Sequence, residues 1–249
     1  MTSTPIRFIK VRKSFGPVPV LDGVEFDVPE GQFLGLAGVN GAGKTTLLKC
    51  LLDFVEPDSG DIRVHGISFR HPSSRSRLTF LPERFIPPYF LTGLEFLRLM
   101  LEFYGLPQDL PRIESMCDDL DLARDAIRKP VRSLSKGMTQ KLGLAVCFLS
   151  QRDVYVLDEP MSGLDPKARV CVKRILARLR EQGKTLLFTS HSLPDVEEIC
   201  DHMVILHKGT VAWRGLPADL RGLHAEESLE RAFLQCIEPK NNTDAERNS

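Results

Sequence analysis

A surplus of basic residues is the first thing missing from this chain. Its 249 residues carry 33 Lys+Arg against 33 Asp+Glu, a formal net charge of zero. A dedicated nucleic-acid binder displays a cationic footprint, so the balance argues against that class. Long apolar runs are also missing. The longest covers residues 142–149, with Gly143 inside it, whereas a membrane-spanning helix needs about 20 residues. The first 25 residues hold Arg7, Lys10, Arg12, Lys13, Asp22 and Glu25, with no apolar stretch of the secretory kind. Cys50, Cys117, Cys147, Cys171, Cys200 and Cys236 lie far apart without a C-x-x-C pair. That spacing builds neither a zinc site nor a disulfide framework, and it is expected of a reduced, cytosolic protein. Repeats and low-complexity tracts are absent too.

What is present reads as a folded α/β protein. Apolar residues make up 42% of the chain and charged residues 27%, close to the globular average. Up to about residue 64 the pattern is of short strands (6–12, 24–28 and 33–37) punctuated by Gly16-Pro17, Asp22-Gly23 and Pro29-Glu30-Gly31. A helix is expected over 44–53. Thr92-Gly93-Leu94-Glu95 is a capping box that opens a helix ending at Gly105-Leu106-Pro107. Residues 108–129 stay helical and turn acidic, as an insertion between two α/β halves. Beyond it, apolar strands at 154–157, 185–188 and 203–206 alternate with helices at 166–181 and 194–200. Uninterrupted apolar strands separated by helices indicate a parallel sheet covered on both faces. The segment after Ile237 has little to bury and is expected to be a disordered tail, 238–249.

Gly38-Val39-Asn40-Gly41-Ala42-Gly43-Lys44-Thr45-Thr46 fits G-x-x-x-x-G-K-[ST] between an expected strand and an expected helix. Glycines let successive backbone N–H groups converge on phosphate oxygens at a helix N-terminus. Lys44 would then reach the β- and γ-phosphates, and the Thr45 hydroxyl would ligate Mg²⁺. About 110 residues on, the apolar run Val154-Tyr155-Val156-Leu157 ends in Asp158-Glu159-Pro160. Ligands of a parallel sheet bind outside the carboxyl ends of its strands, so both acids are expected beside the phosphates. Asp158 suits the Mg²⁺ shell and Glu159 suits polarising an attacking water. Taken alone, such an acidic pair at a strand end is a solvated turn. Together with the phosphate loop it reads as a nucleotide site.

With these residues in place, the sequence resembles the ATPase subunit of ATP-binding cassette (ABC) transporters over essentially residues 5–237. Leu134-Ser135-Lys136-Gly137-Met138 is similar to the family's LSGGQ signature, and Pro160-Met161-Ser162-Gly163-Leu164-Asp165 to its D-loop. His191 resembles the switch histidine, and Phe15 the aromatic residue that stacks on adenine. Glu83, in Leu81-Pro82-Glu83, stands where the family keeps a glutamine beside Mg²⁺ and water. Lys136 and Met138 replace Gly and Gln of the signature, while Ser135 and Gly137 are kept. The wording around Glu83 and residues 135–138, with Ser228-Leu229-Glu230-Arg231-Ala232-Phe233-Leu234, is most like the type-2 exporter branch.

The resemblance implies a P-loop NTPase core with a mostly parallel sheet, an N-terminal antiparallel β subdomain and an inserted α-helical subdomain at about 90–150. All of this falls within one ATPase domain, 1–237. It implies ATP and Mg²⁺ as cofactors. ATP would be bound by Phe15, residues 38–46, and Ser135, Gly137 and Asp165; the metal by Thr45, Glu83 and Asp158. Glu159, His191 and Lys44 would be catalytic. It further implies a second cassette, a copy or a paralogue, whose signature completes each ATP site. Separate transmembrane permease subunits would hold the chain on the inner face of the cell membrane, and no nucleic acid is expected as a partner. A cassette acting on nucleic acid or ribosomes is the competing reading. Its only basic cluster would be Arg70-His71-Pro72-Ser73-Ser74-Arg75-Ser76-Arg77, which a solvated loop also explains. A catalytically silent cassette is disfavoured by the presence of Lys44, Asp158, Glu159 and His191. Residues 81–91, rich in apolar and aromatic side chains, are either a docking surface for the membrane subunit or packing for the insertion.

Overall fold

Alternation interrupted by an irregularity between Phe8 and Val11 sets the first layer at the N-terminus. In the computed structural model, which describes residues 4–238, Ile6–Phe15 (β1) turns Ile6, Phe8 and Val11 inward. Val18–Val28 (β2) pairs antiparallel with it, placing Phe8 opposite Phe26 with ring centroids 4.6 Å apart. Phe33–Ala37 (β3) is buried along its whole length, and Lys44–Leu51 (α1) follows after a six-residue loop at 38–43. Ser59–Val64 (β4) and the short Ile67–Ser68 (β5) complete a four-stranded antiparallel sheet in the order β2-β1-β4-β5. A 3-10 segment, Pro72–Arg77, leads into Leu78–Leu81 (β6).

The insertion comes next. Gly93–Phe103 (α2) begins at the expected capping box: Thr92 Oγ1 accepts from the Glu95 N–H at 3.1 Å, and Glu95 accepts from the Thr92 N–H at 2.7 Å. Leu110–Asp119 (α3) and the single turn Arg124–Ile127 (α4) carry the acidic stretch. The segment returns to where it left: Gly93 N–H donates to Lys129 C=O at 3.3 Å, and Val131 N–H to Leu91 C=O at 2.8 Å. After a 3-10 turn at Val131–Ser133, Lys136–Leu149 (α5) runs back under the sheet.

The remaining elements build the second sheet. They are Val154–Asp158 (β7), Pro166–Glu181 (α6), Thr185–Ser190 (β8), Leu193–Ile199 (α7), His202–His207 (β9), Thr210–Gly215 (β10), Pro217–His224 (α8) and Leu229–Ile237 (α9). The order is β10-β9-β3-β8-β7-β6, parallel throughout except for β10. Both faces of this sheet are covered, as its continuous apolar strands require. Val154, Val156 and Leu187 face α1 and the antiparallel sheet, whereas Tyr155, Leu157 and Phe188 face the helices. All five parallel strands end on one edge, which therefore collects residues 38, 81–83, 158–159 and 190–191.

The expected mostly parallel core, antiparallel N-terminal sheet and helical insertion are all observed. Not individually expected are β4, β5, β6, β10, α8 and α9, and α5 falls within the expected helical insertion without being delimited in it. The apolar run at 142–149 lies inside α5, a helix buried all round from Gln140 onward, so it carries no amphipathic period to read. Strand β10 alternates between exposed and half-buried positions, and only its half-buried Val211 and Trp213 pack on the core, too few to mark a strand by period. All but one residue of the expected tail falls outside the described residues.

Gly143 of α5 is a close-approach position. A Cβ there would lie 2.7 Å from Leu81 Cδ1 and 2.8 Å from Phe85 Cδ1. Gly143→Ala should therefore overpack the contact between α5, β6 and the loop after it, costing about 1–3 kcal/mol. Thermal unfolding checks this: an unchanged melting temperature would mean that Phe85 is free to swing aside.

Candidate functional site

The loop between β3 and α1 is shaped by its glycines. Gly43 has φ +107°, and a Cβ on it would meet the Val20 carbonyl oxygen at 2.8 Å. Only glycine seats this loop so tightly against β2. The Ala42 N–H donates to the Val39 carbonyl at 3.1 Å, closing the turn. Lys44, at the first position of α1, is buried and donates to the Gly38 carbonyl at 2.6 Å. Burial pulls its ammonium below the ordinary lysine range, while Glu159, Asp158 and Glu83 pull it back up.

Across the cleft, β7 delivers the carboxylates. Asp158, 2% exposed, accepts from Thr45 Oγ1 at 3.3 Å and from Thr189 Oγ1 at 2.6 Å. Burial raises its pKa and the nearby Glu83 adds to the rise; the two hydroxyls and Lys44 oppose it. Glu159 follows with φ +49°, a left-handed backbone that non-glycine residues adopt rarely. Its Oε2 lies 2.7 Å from Nδ1 of His191, whose ring is mostly exposed at the rim.

Phe15, Val20, Asn40, Gly41, Ala42, Gly43, Lys44, Thr45, Thr46, Glu83, Asp158, Glu159 and His191 thus line one open cleft of about 580 Å³. Phe15 offers a half-exposed ring at its mouth, with Lys13 Nζ 5.5 Å from the ring centroid. Gly38 and Val39 border a smaller cavity behind the loop, shared with Leu193 and Phe233. Besides Gly38 and Val39, three more of the residues expected to bind nucleotide are not among those lining the cleft. Ser135 Oγ accepts from the Met138 N–H at 3.2 Å and caps α5. Gly137 lies against the 163 turn, where a Cβ would come 3.1 Å from the Gly163 carbonyl oxygen. Asp165 Oδ1 accepts from the Ala168 N–H at 2.8 Å and caps α6. Val20 and Thr189 were not expected at the site. The first sits in a β-strand without a motif. The second is a threonine at the end of an apolar strand two residues before His191, a position that gains meaning only through pairing with β7.

Chemically, the cleft offers an aromatic face, a glycine-shaped loop at a helix N-terminus, one buried ammonium and three carboxylates. A hard divalent cation suits the oxygen set of Thr45, Asp158 and Glu83, and it would oppose the rise that burial, with Glu83 nearby, imposes on the Asp158 carboxyl.

Comparison with known proteins agrees with this reading. A family model described as ABC transporter matches residues 21–162. An uncharacterized ABC transporter ATP-binding protein of Synechocystis sp. is 42% identical over 198 residues, covering 78% of this chain. The match spans only 56% of that relative's length. The Nod factor export ATP-binding protein I of Ralstonia nicotianae is 37% identical over 88% of this chain and 69% of its own. Among solved structures, an ATP-binding subunit of an ABC transporter superposes with TM-score 0.86 at 29% identity, covering 94% of this chain and 99% of the other. The match to the family model, covering more than half of the chain, and the agreement of whole folds place the chain in the ABC transporter family, as an ATP-binding cassette.

Proposed function

We propose that the chain is the ATP-hydrolysing subunit of a membrane transporter, working as an exporter and driving transport through separate transmembrane subunits. The observation that carries this reading is one cleft in which the loop at 38–46 faces the Glu159–His191 pair, 2.7 Å apart. Lys44 and the loop amides hold the triphosphate, Phe15 stacks on the base, and Glu159 takes up the proton of the attacking water. His191 holds the Glu159 carboxylate in line from the rim. Mg²⁺ would be held by Thr45, Asp158 and Glu83, and when bound it neutralises charge on the β- and γ-phosphates.

Residues 1–237 act as one ATPase domain with the helical arm, about 90–150, inserted into its core. Ser135 and Gly137 serve the cleft of a second cassette, a copy or paralogue, since they stand away from their own. Asp165 then acts at the same interface while capping α6. The name of the Ralstonia relative supports export over import. No described helix is long and apolar enough to cross a membrane; the permease subunits would hold the chain on the inner face of the cell membrane. The nucleic-acid reading loses its footprint: Arg70, Arg75 and Arg77 pair with Glu56, Asp53 and Asp153.

Residues 81–91 divide between the two roles left open by sequence. Phe85 packs on Phe96, with ring centroids 5.8 Å apart, and beside Gly143. Ile86, Tyr89 and Phe90 are 81%, 67% and 68% exposed, an apolar group fit for a docked cytoplasmic helix of the permease.

Three outcomes are expected. Glu159→Gln should keep ATP affinity and lose on the order of 10²–10⁴ in turnover, whereas Lys44→Ala should weaken binding itself. Wild-type turnover in Glu159→Gln would remove Glu159 from the chemistry. Glu159→Gln with saturating ATP should sediment as a dimer and the nucleotide-free protein as a monomer; persistent monomer would favour a paralogue as partner. Tyr89→Glu and Phe90→Glu should abolish co-purification of an integral membrane protein from detergent extract while leaving ATP binding intact. Phe85→Glu should instead lower the melting temperature, and unchanged co-purification in the first two variants would move the docking surface elsewhere.

A further inference from the structure

Thr189 is fully buried at the end of β8, in register with Asp158 of β7. Its neighbours Leu186, Leu187 and Phe188 are all apolar and buried, and a valine would fill the same volume without a polar atom. A hydroxyl in so dry a place is unfavourable unless its donor and acceptor capacity is used. Both are used, and both partners belong to the acidic pair. Thr189 Oγ1 donates to Asp158 Oδ1 at 2.6 Å and accepts the Glu159 N–H at 2.9 Å.

The two bonds act on different problems. Asp158 Oδ2 accepts from Thr45, so with Thr189 on Oδ1 the carboxylate is held from both sides and cannot rotate about its terminal bond. At Glu159 the backbone turns to φ +49°, an arrangement that persists only when the surroundings enforce it. The Thr189 hydroxyl captures the N–H that this turn directs away from the strand. The same strand end shapes the opposite partner: Ser190 Oγ accepts from the Ser192 N–H at 2.9 Å, fixing the turn that carries His191. His191 then meets the Glu159 carboxylate. Asp158, Thr189, Glu159 and His191 thus lie on one closed path of contacts, with a single hydroxyl joining its two acids.

We propose that Thr189 is a positioning residue for ATP hydrolysis: its hydroxyl sets the rotamer of Asp158 and the backbone direction of Glu159. It acts on the chemical step rather than on nucleotide affinity, since it lies beneath the carboxylates and is not among the residues lining the cleft. This rests on the ATPase reading, which wild-type turnover tests separately.

The experiment compares Thr189→Val and Thr189→Ser in the full chain. Misplacement of a reacting group by about 1 Å costs up to about 10²-fold, so Thr189→Val should lower kcat by about 10- to 100-fold. Its Kd for a fluorescent ATP analogue should stay within about threefold of wild type, and Thr189→Ser should restore kcat to within about threefold. In a Glu159→Gln background, adding Thr189→Val should lower residual turnover by less than the roughly 10- to 100-fold expected in the wild-type background, because the part of its effect that runs through the Glu159 carboxylate is already lost while the part that runs through Asp158 remains. The Glu159 amide should be protected from hydrogen exchange in wild type and Thr189→Ser, and exposed in Thr189→Val. If Thr189→Val does not fold, Thr189→Cys, of similar volume with a weak donor, carries the same comparison. The proposal is overturned by a Thr189→Val enzyme with wild-type kcat. It is equally overturned by a Thr189→Ser enzyme as impaired as Thr189→Val, which would make packing the cause. A fall in ATP affinity and melting temperature in step with kcat would also overturn it.

Discussion

Everything at this site depends on keeping like charges close together in a poorly solvated place. Asp158 and Glu159 are consecutive carboxylates, nearly buried, with Glu83 at the same cleft and Lys44 as the one buried cation facing them. Desolvation alone would neutralise such groups, and it shifts both Asp158 and Lys44 in that direction. The fold answers with fixed dipoles: hydroxyls of Thr45 and Thr189 on Asp158, a backbone N–H of Glu159 tied to Thr189, and Lys44 anchored to the Gly38 carbonyl. These groups are supplied by three adjacent parallel strands and one helix start. The parallel topology is therefore a condition of the chemistry, because it brings the strand ends that carry these groups to one edge.

Much of this was legible in the sequence, and the reason is local. The loop at 38–46, the capping box at Thr92 and the Asp165-Pro166 start of α6 are signals in which a short string of residues determines its own hydrogen bonds. The apolar strands at 154–157 and 185–188 announce themselves because both faces are buried. Thr189 shows the opposite case. Nothing in Phe188-Thr189-Ser190 distinguishes a filler threonine from one that joins two acids, since the difference lies in the register between β7 and β8. Phe85 is similar: it sits one residue from exposed Ile86 in the same aromatic segment, and only the bare backbone of Gly143 on α5 explains why it turns inward.

The placement of Ser135, Gly137 and Asp165 separates two kinds of information. Each has an ordinary local task in the folded chain, two as helix caps and one as a close approach to the 163 turn. Geometry within one chain therefore gives no reason to assign them to nucleotide. The assignment draws on their order beside the other motifs, and its physical content is intermolecular. A helix N-terminus with a capping serine is a ready donor surface for an anion, and here neither Ser135 nor Gly137 lines the cleft that holds the phosphate loop.

The same geometry explains how a transporter cassette could connect its nucleotide to its docking surface without a long relay. Glu83 lines the phosphate cleft and, from its other side, a cavity of about 400 Å³ shared with Phe85, Ile86, Leu134 and Lys136. Phe85, two residues on, is clamped between Phe96 of α2 and Gly143 of α5. Ile86 and Tyr89 then reach solvent within four residues. A change of charge beside Glu83 would thus press on a segment whose middle is wedged against the helical arm and whose end is the exposed apolar group. Packed cores transmit such shifts because they deform little. Two hydrogen bonds, Gly93 to Lys129 and Val131 to Leu91, close the arm on itself at its base. Ser135 caps α5 four residues after Val131, where the arm rejoins the core, so a displacement at Glu83 would reach both the exposed apolar group and the start of α5.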